Sequence, residues 1–234
     1  MTATGWVPLR SPYTVAPDAP PGSPQCLDLT GDPAALDNAD RVAMAAAAGA
    51  GAHAIWRTYL AGPSVARRVY LIHGPRIALS DQVLAFDDAT GAGPAERAAL
   101  AAGALLWTDE PAPPIRFAGL FAGFDPRTGT AAPDPATVDG PERQRLLAYL
   151  DNAPRLLATT VKAADVVSAG PGVPMDLRTD GEWVWSEGSR YYLDKHRLAP
   201  DPAFAAHIAG RGYVMPSVGP AALHRALAKV QSPV

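Results

Sequence analysis

Apolar and polar positions change period several times along the chain, and each change marks an expected element. Residues 53–60, 65–73 and 77–86 carry Ile, Val, Tyr and Trp in short runs separated by Gly-Pro pairs, a pattern that predicts an antiparallel meander. Ahead of it, Asp32-Pro33 sets an N-cap beside a proline at the first helical position. The alanine-rich run that follows stops at Gly49 and Gly51, so one helix is expected over 32–48. Residues 94–107 predict a second helix with Glu96 in its first turn, 115–124 a further strand, and 141–152 a third helix, while 156–167 fits strand and helix equally. Residues 1–25 contain Pro8, Pro12, Pro17, Pro20, Pro21 and Pro24, which cannot make a regular ladder, and an extended segment anchored by Trp6 and Tyr13 is expected.

The densest pattern lies in 173–230. Asp180-Gly181 between two alternating stretches predicts a hairpin whose two central residues both have positive φ, with Trp183 and Trp185 on one face. Ser186 then caps a short amphipathic helix over 189–196, stopped by Leu198-Ala199-Pro200. Asp201-Pro202 starts another helix, on which Phe204, His207 and Ile208 share a face, and it ends at Gly210 and Gly212. A last helix is expected over 220–230. Residues 126–140, rich in Pro and Gly and poor in apolar anchors, read as a loop or linker. The organisation expected is an α+β region over 1–125, this linker, and an α+β module over 141–234 packed on the first as one compact body. The fold class is α+β: a mainly antiparallel sheet of at least four strands, drawn from 53–86, 115–124 and 175–185, with several short flanking helices.

Composition narrows the function classes. Among the 234 residues, 20 Lys+Arg against 23 Asp+Glu give a net charge of −3, which removes the usual driver for nucleic acid or an anionic membrane surface. Cys26 is the one cysteine, excluding an internal disulfide and cysteine-built metal clusters; a cytoplasmic location is expected. Apolar runs are too short to span a membrane and the first residues lack the continuous apolar region of a signal peptide. The 47 alanines inflate the 48% hydrophobic content, so the packed core is adequate but not rich.

The succession Thr179-Asp180-Gly181-x-Trp183-x-Trp185, then Tyr191-Tyr192-Leu193, Ala199-Pro200, His207-Ile208 and Gly212-Tyr213, resembles the C-terminal ending of a group of uncharacterised actinobacterial proteins. Some of these look like neighbours or immunity partners of secreted toxins. The resemblance covers the last sixty residues and implies a recurrent packing module; it implies no catalytic residue.

Chemistry must therefore be sought in single residues, because the chain lacks Gly-x-Gly-x-x-Gly after a strand, a Walker-type phosphate loop, His-Glu-x-x-His and Gly-x-Ser-x-Gly. His73, at a strand end, and Arg76, past the Gly74-Pro75 turn, can serve as acid/base and anion anchor, against the commoner reading of a tight turn with a solvated arginine. Trp183, Trp185 and Tyr191 can wall a ring-binding pocket with Arg178 and Asp180 beside it, although two tryptophans on one hairpin face more often belong to a core. Arg67-Arg68 reads as a solvated edge, and Cys26 lacks a histidine placed by any catalytic signature. His196, His207 and His224 have no ligand spacing, so no metal and no cofactor is expected. Two functions follow: a cytosolic binding or interaction protein, immunity-like, with a protein or small-molecule partner; or a small cofactor-independent enzyme acting on an aromatic or polar small molecule through His73, Arg76 and Arg178.

Overall fold

The structure, a computed structural model, describes residues 7–9, 26–61, 66–88, 91–168 and 172–232. Trp6 and Tyr13, the expected anchors of the first segment, and the side chain of Arg67 lie outside the described residues. In chain order the elements are β1 (Val7–Leu9), β2 (Leu27–Asp28), a 3-10 turn (Pro33–Ala35), α1 (Asn38–Gly49), β3 (Ala54–Ala61), β4 (Ala66–His73), β5 (Gln82–Phe86), α2 (Pro94–Ala102) and β6 (Ala104–Thr108). There follow β7 (Arg116–Phe117), β8 (Phe124–Asp125), β9 (Thr130–Ala131), α3 (Gly140–Asn152), β10 (Arg155–Leu157), β11 (Lys162–Ala163) and β12 (Val173–Pro174). The chain closes with β13 (Leu177–Thr179), β14 (Trp183–Ser186), α4 (Glu187–His196), α5 (Pro202–Gly210) and α6 (Pro220–Gln231). Two compact units result, residues 1–112 with 220–234 and residues 113–219, so the expected linker 126–140 lies inside the second unit. Among the described residues no helix is long and apolar enough to cross a membrane.

The first unit is built on a sheet of order β2-β6-β3-β4-β5, with β1 pairing antiparallel to β3. The α+β class holds, but the mainly antiparallel sheet is corrected to a mixed one: β3 runs antiparallel to β4 and β6, whereas β4 with β5 and β2 with β6 are parallel. The expected meander fails at its second turn. Gly74, at φ +134°, is too close to the Ala52 backbone to carry a Cβ, and residues 74–81 return the chain so that Gln82 starts beside Val69. Eight extended residues reach about 26 Å, enough to retrace the five paired residues of a strand. A second correction concerns the helix expected over 94–107, which stops at Ala102. A side chain at Gly103 would meet Ala99 O and approach the Arg57 carbonyl, and beyond it the chain extends as β6.

Alternation along these strands sorts the core into two layers. Ile55, Tyr70, Ile72, Ala104 and Leu106 pack with Ala43 and Ala47 of α1 on one face, while Trp56, Leu71, Phe86 and Leu105 pack with Ala99 of α2 and Ala221 of α6 on the other. The helix expected over 32–48 divides. Asp32 caps only the 3-10 turn, Leu36 is extended, and α1 starts afresh from a reciprocal box in which Asp37 accepts the Asp40 N–H and Asp40 accepts that of Asp37. Asp40 is fully buried against Arg57 of β3 and accepts the Tyr70 hydroxyl at 3.0 Å. Arg68 of β4 forks onto Asp37 at 2.6 and 3.1 Å.

In the second unit the sheet order is β10-β13-β14-β7, with two small two-stranded ladders, β8-β9 and β11-β12. The single sheet expected from 53–86, 115–124 and 175–185 is thus two, one per unit. The strand expected over 115–124 survives only as β7, parallel to β14, because the chain turns from Gly119 to Gly123, the latter at φ +85°. The hairpin is framed one residue later than expected: Gly181 and Glu182 are its central pair, Asp180 N–H bonds Trp183 O at 3.3 Å, and only Gly181 has positive φ. The helices expected over 141–152, 189–196, from Asp201-Pro202 and over 220–230 are found as α3, α4, α5 and α6.

Trp183 and Trp185 are 4% and 1% exposed and pack with Tyr149 and Leu150 of α3, Leu193 of α4, and Phe204 and Ile208 of α5. Tyr192 belongs instead to a second cluster with Phe121, Val173 and Leu198. Trp183→Ala should lower stability by about 3 to 5 kcal/mol, measured by urea unfolding; an unchanged unfolding midpoint would contradict the core placement.

Candidate functional site

The residues singled out from the sequence divide between the units. In the first, the His73 ring stacks on Phe86 with centroids 4.9 Å apart and its Nε2 lies 2.9 Å from Asp88 Oδ1, while Arg76 donates to the Val83 carbonyl at 2.7 Å. In the second, Arg178 is held by Glu187 and the Ala153 carbonyl, and Tyr191 donates to Asp165 at 3.0 Å while accepting from Lys195 at 2.8 Å. Asp180 is buried: one oxygen accepts the N–H groups of Glu182 and Trp183, the other the Tyr149 hydroxyl at 2.6 Å, with His207 Nε2 2.8 Å away. Trp183 and Trp185 are core residues of that unit. The pocket envisaged for His73, Arg76 and Arg178 beside the two tryptophans is therefore assembled in neither unit.

The three histidines considered for a metal also separate: His196 faces Asp165, His207 faces Asp180, and His224 belongs to the other unit. Among the described residues no group of three or more His, Cys, Asp or Glu is arranged to hold a metal ion. His224 does meet Cys26, Nε2 to Sγ 3.2 Å, in the outline of a thiol–imidazole pair. Burial pushes the thiol up, with Asp28 adding to it, and pushes the imidazole down to about 4. Both groups are held neutral, the reverse of a nucleophilic pair.

A cleft in the first unit gathers what those positions lack. It measures about 790 Å³ and opens beyond the carboxyl ends of the parallel strands β2 and β6. Strand ends place its polar groups, because Asp28 closes β2 and Glu110 follows β6 by two residues; Arg225 comes from α6. Leu36, Met44 and Trp107 supply an apolar wall that also leans on the α1-side core. Volume and lining both match the usual small-ligand site, and crevices outside the carboxyl ends of parallel strands are where open α/β sheets bind ligands.

Electrostatics distinguish the carboxyls. Burial raises Asp28, but the hydroxyl and N–H of Thr30, with Arg225 Nε at 2.8 Å, outweigh it and hold the group below the usual carboxylate range. Glu110 is shifted the other way, chiefly by burial; Asp109 adds to the rise, while His73, His53 and the Ala222 N–H at the start of α6 oppose it. Thr108 orients this corner, its hydroxyl donating to the His53 carbonyl at 3.0 Å and accepting the Glu110 N–H at 3.1 Å. Such a set can bind a polar group beside an apolar one and exchange a proton at Glu110. Sequence reasoning missed it by placing Trp107 at the end of a helix expected over 94–107. The available signal was Ala104-Leu105-Leu106-Trp107-Thr108 directly after Gly103, a two-faced strand followed by the acidic pair Asp109-Glu110.

Asp165 shows a structural use of the same chemistry in the second unit. Burial raises it, but the Val167 N–H and the side chains of His196, Lys195 and Ser168 more than compensate and hold it well below its ordinary value. A carboxyl depressed in the folded state stabilises above its unfolded pKa and loses that contribution as pH falls towards the folded one. Asp165→Asn should accordingly melt several degrees below the parent at pH 7, with the gap closing below about pH 4; thermal melts across pH check this, and a gap constant with pH would contradict it.

No protein-family model matches the sequence, and no curated protein and no solved structure matches it either, so the functional reading rests on the chemistry of the cleft.

Proposed function

We propose that this chain is a cytosolic binding protein whose ligand is a small molecule held in the cleft between β2, β6, α1 and α6. The observation that carries the reading is the convergence of Asp28, Glu110 and Arg225 opposite Leu36, Met44 and Trp107 in one crevice at parallel strand ends. The sequence candidates for catalysis instead meet internal partners: His73 faces Asp88, Arg76 donates to the β5 backbone and Arg178 to Glu187. Binding rather than turnover is thus the favoured activity. A thermal-shift screen of small metabolites should find ligands that raise the melting temperature, since a ligand at 100 times its Kd adds about 2.7 kcal/mol. Trp107→Ala should remove the shift, and a shift unaffected by that substitution would place the ligand elsewhere.

A second reading, an immunity-like partner of a toxin, draws on the resemblance of the last sixty residues and on one surface feature. Leu157, Val161, Val166 and Val167 are 43%, 65%, 38% and 44% exposed, along a stretch that begins with the edge strand β10. Exposed apolar side chains beside a sheet edge suit strand-to-strand docking of another protein. Co-expression with the product of the neighbouring gene should then give a complex that Val161→Asp weakens at least tenfold without changing the melting temperature; no complex, or one indifferent to the substitution, counts against this reading.

A further inference from the structure

The cleft's charge and shape narrow the ligand to a chemical class. Among the described residues, the carboxyls of Asp28, Asp32 and Glu110 line it against the guanidinium of Arg225. They are not equivalent. Asp28 is already matched, by Arg225 at 2.8 Å and by two bonds from Thr30, and Asp32 is engaged as the cap of the 3-10 turn, accepting the Ala34 N–H at 3.1 Å. Glu110 is different. It is half-buried, it receives one N–H from the start of α6, and among the described residues no arginine, lysine or histidine nitrogen lies within the 4.0 Å of an ion pair from it. A carboxyl drawn out of water beside an apolar wall, without a cation of its own, is stabilised as an anion by whichever cation enters the crevice.

The wall supplies the second half of the specificity. Among the described residues Trp107 is the aromatic side chain lining the cleft, and it stands three residues before Glu110 with Met44 and Leu36 opening on the same space. An indole beside thioether and isobutyl groups accepts a flat ring by stacking and by sulfur contact, and its π face favours a nearby positive charge. Arg225 cannot reverse the preference, because its Nε is committed to Asp28. Anionic ligands would meet these carboxyls, and neutral ones would leave Glu110 without a countercharge.

Resting on the reading of the cleft as a ligand site, we infer that the ligand is an arylalkylamine, its ammonium set against Glu110 and its ring against Trp107, Met44 and Leu36. The cleft thus selects for positive charge as well as for a ring, and Glu110 is its specificity-determining residue.

Three probes that share an indole ring test this: tryptamine, which is cationic, tryptophol, which is neutral, and indole-3-acetate, which is anionic. Calorimetric titration of the full chain at pH 7 should give tryptamine an affinity at least tenfold above tryptophol, equivalent to about 1.4 kcal/mol, with indole-3-acetate weakest. Glu110→Gln keeps a carbonyl for the Ala222 N–H and nearly the same volume, so the fold is preserved while the charge is removed. It should abolish the preference for tryptamine and leave tryptophol binding within twofold. A shift of the Trp107 indole N–H resonance, assigned by its loss in Trp107→Phe, locates the probe. Tryptophol or indole-3-acetate binding as tightly as tryptamine, with the Trp107 resonance shifted, would overturn the charge inference and leave the cleft reading standing. Tryptamine preference that survives Glu110→Gln would overturn it as well. Failure of all three probes at millimolar concentration would overturn the inference alone if the metabolite screen yields a Trp107-dependent ligand, and both readings if it does not.

Discussion

The buried pair of Asp40 and Arg57 is the constraint around which the first unit is arranged. Both side chains are withdrawn from water, and two charges so withdrawn are tolerable only when each finds the other together with further hydrogen bonds. Tyr70 supplies one of those bonds to Asp40, and the neighbouring Asp37–Arg68 fork, reached also by the hydroxyls of Tyr59 and Tyr70, surrounds the pair with a polar network that spans α1, β3 and β4. Such a network fixes the rotation and height of α1 over the sheet far more narrowly than its alanine face does, since alanines pack in many registers. Met44 lies one turn beyond Asp40, so the same lock sets one wall of the cleft.

The second unit repeats the device with different partners. Asp180 closes the hairpin through its own backbone neighbours with one oxygen and gathers Tyr149 of α3 and His207 of α5 with the other. Above it lies the aromatic layer of Trp183, Trp185 and Phe204, the last 4.7 Å from Trp185 between ring centroids. A turn residue thereby becomes a core residue: the carboxylate that shapes the hairpin also fixes which helices may cover it. Arg178, paired across the hairpin with Trp185, ties the strand to its neighbours by reaching Glu187 and the Ala153 carbonyl.

Much of the architecture was readable from residue pattern alone, and the reasons for the exceptions are physical. Helices α3, α5 and α6 begin with Pro at the first positions, and α4 follows the hairpin at Ser186, signals that depend only on neighbours in sequence. Strand direction does not. Nothing local to Gly74-Pro75 states whether the next strand returns parallel or antiparallel, since that is decided by how far residues 74–81 travel. Gly103 carried a readable hint, but its cause is a close approach of the β3 backbone, invisible without the fold. The site residues illustrate the same limit. Trp183, Trp185 and Asp180 stand together in the sequence as ligand-binding candidates, yet whether such a group faces a ligand or a core depends on helices as distant in the chain as α3. Arg225 is more than a hundred residues from Trp107 and Glu110 in sequence and joins them only because α6 returns to the first sheet.

That return has a consequence for the order of assembly. The first unit is completed by residues 220–231, whose Ala221 enters the core and whose Gln231 side chain accepts the Cys26 N–H at 3.0 Å. Residues 113–219 are all synthesised before this helix leaves the ribosome, so the second unit can reach its folded state while the face of the first sheet carrying Trp56 and Leu105 still lacks its last cover. Closing a loop that long is an entropic cost met only at the end, and until then an apolar sheet face stays open to solvent and to chaperones.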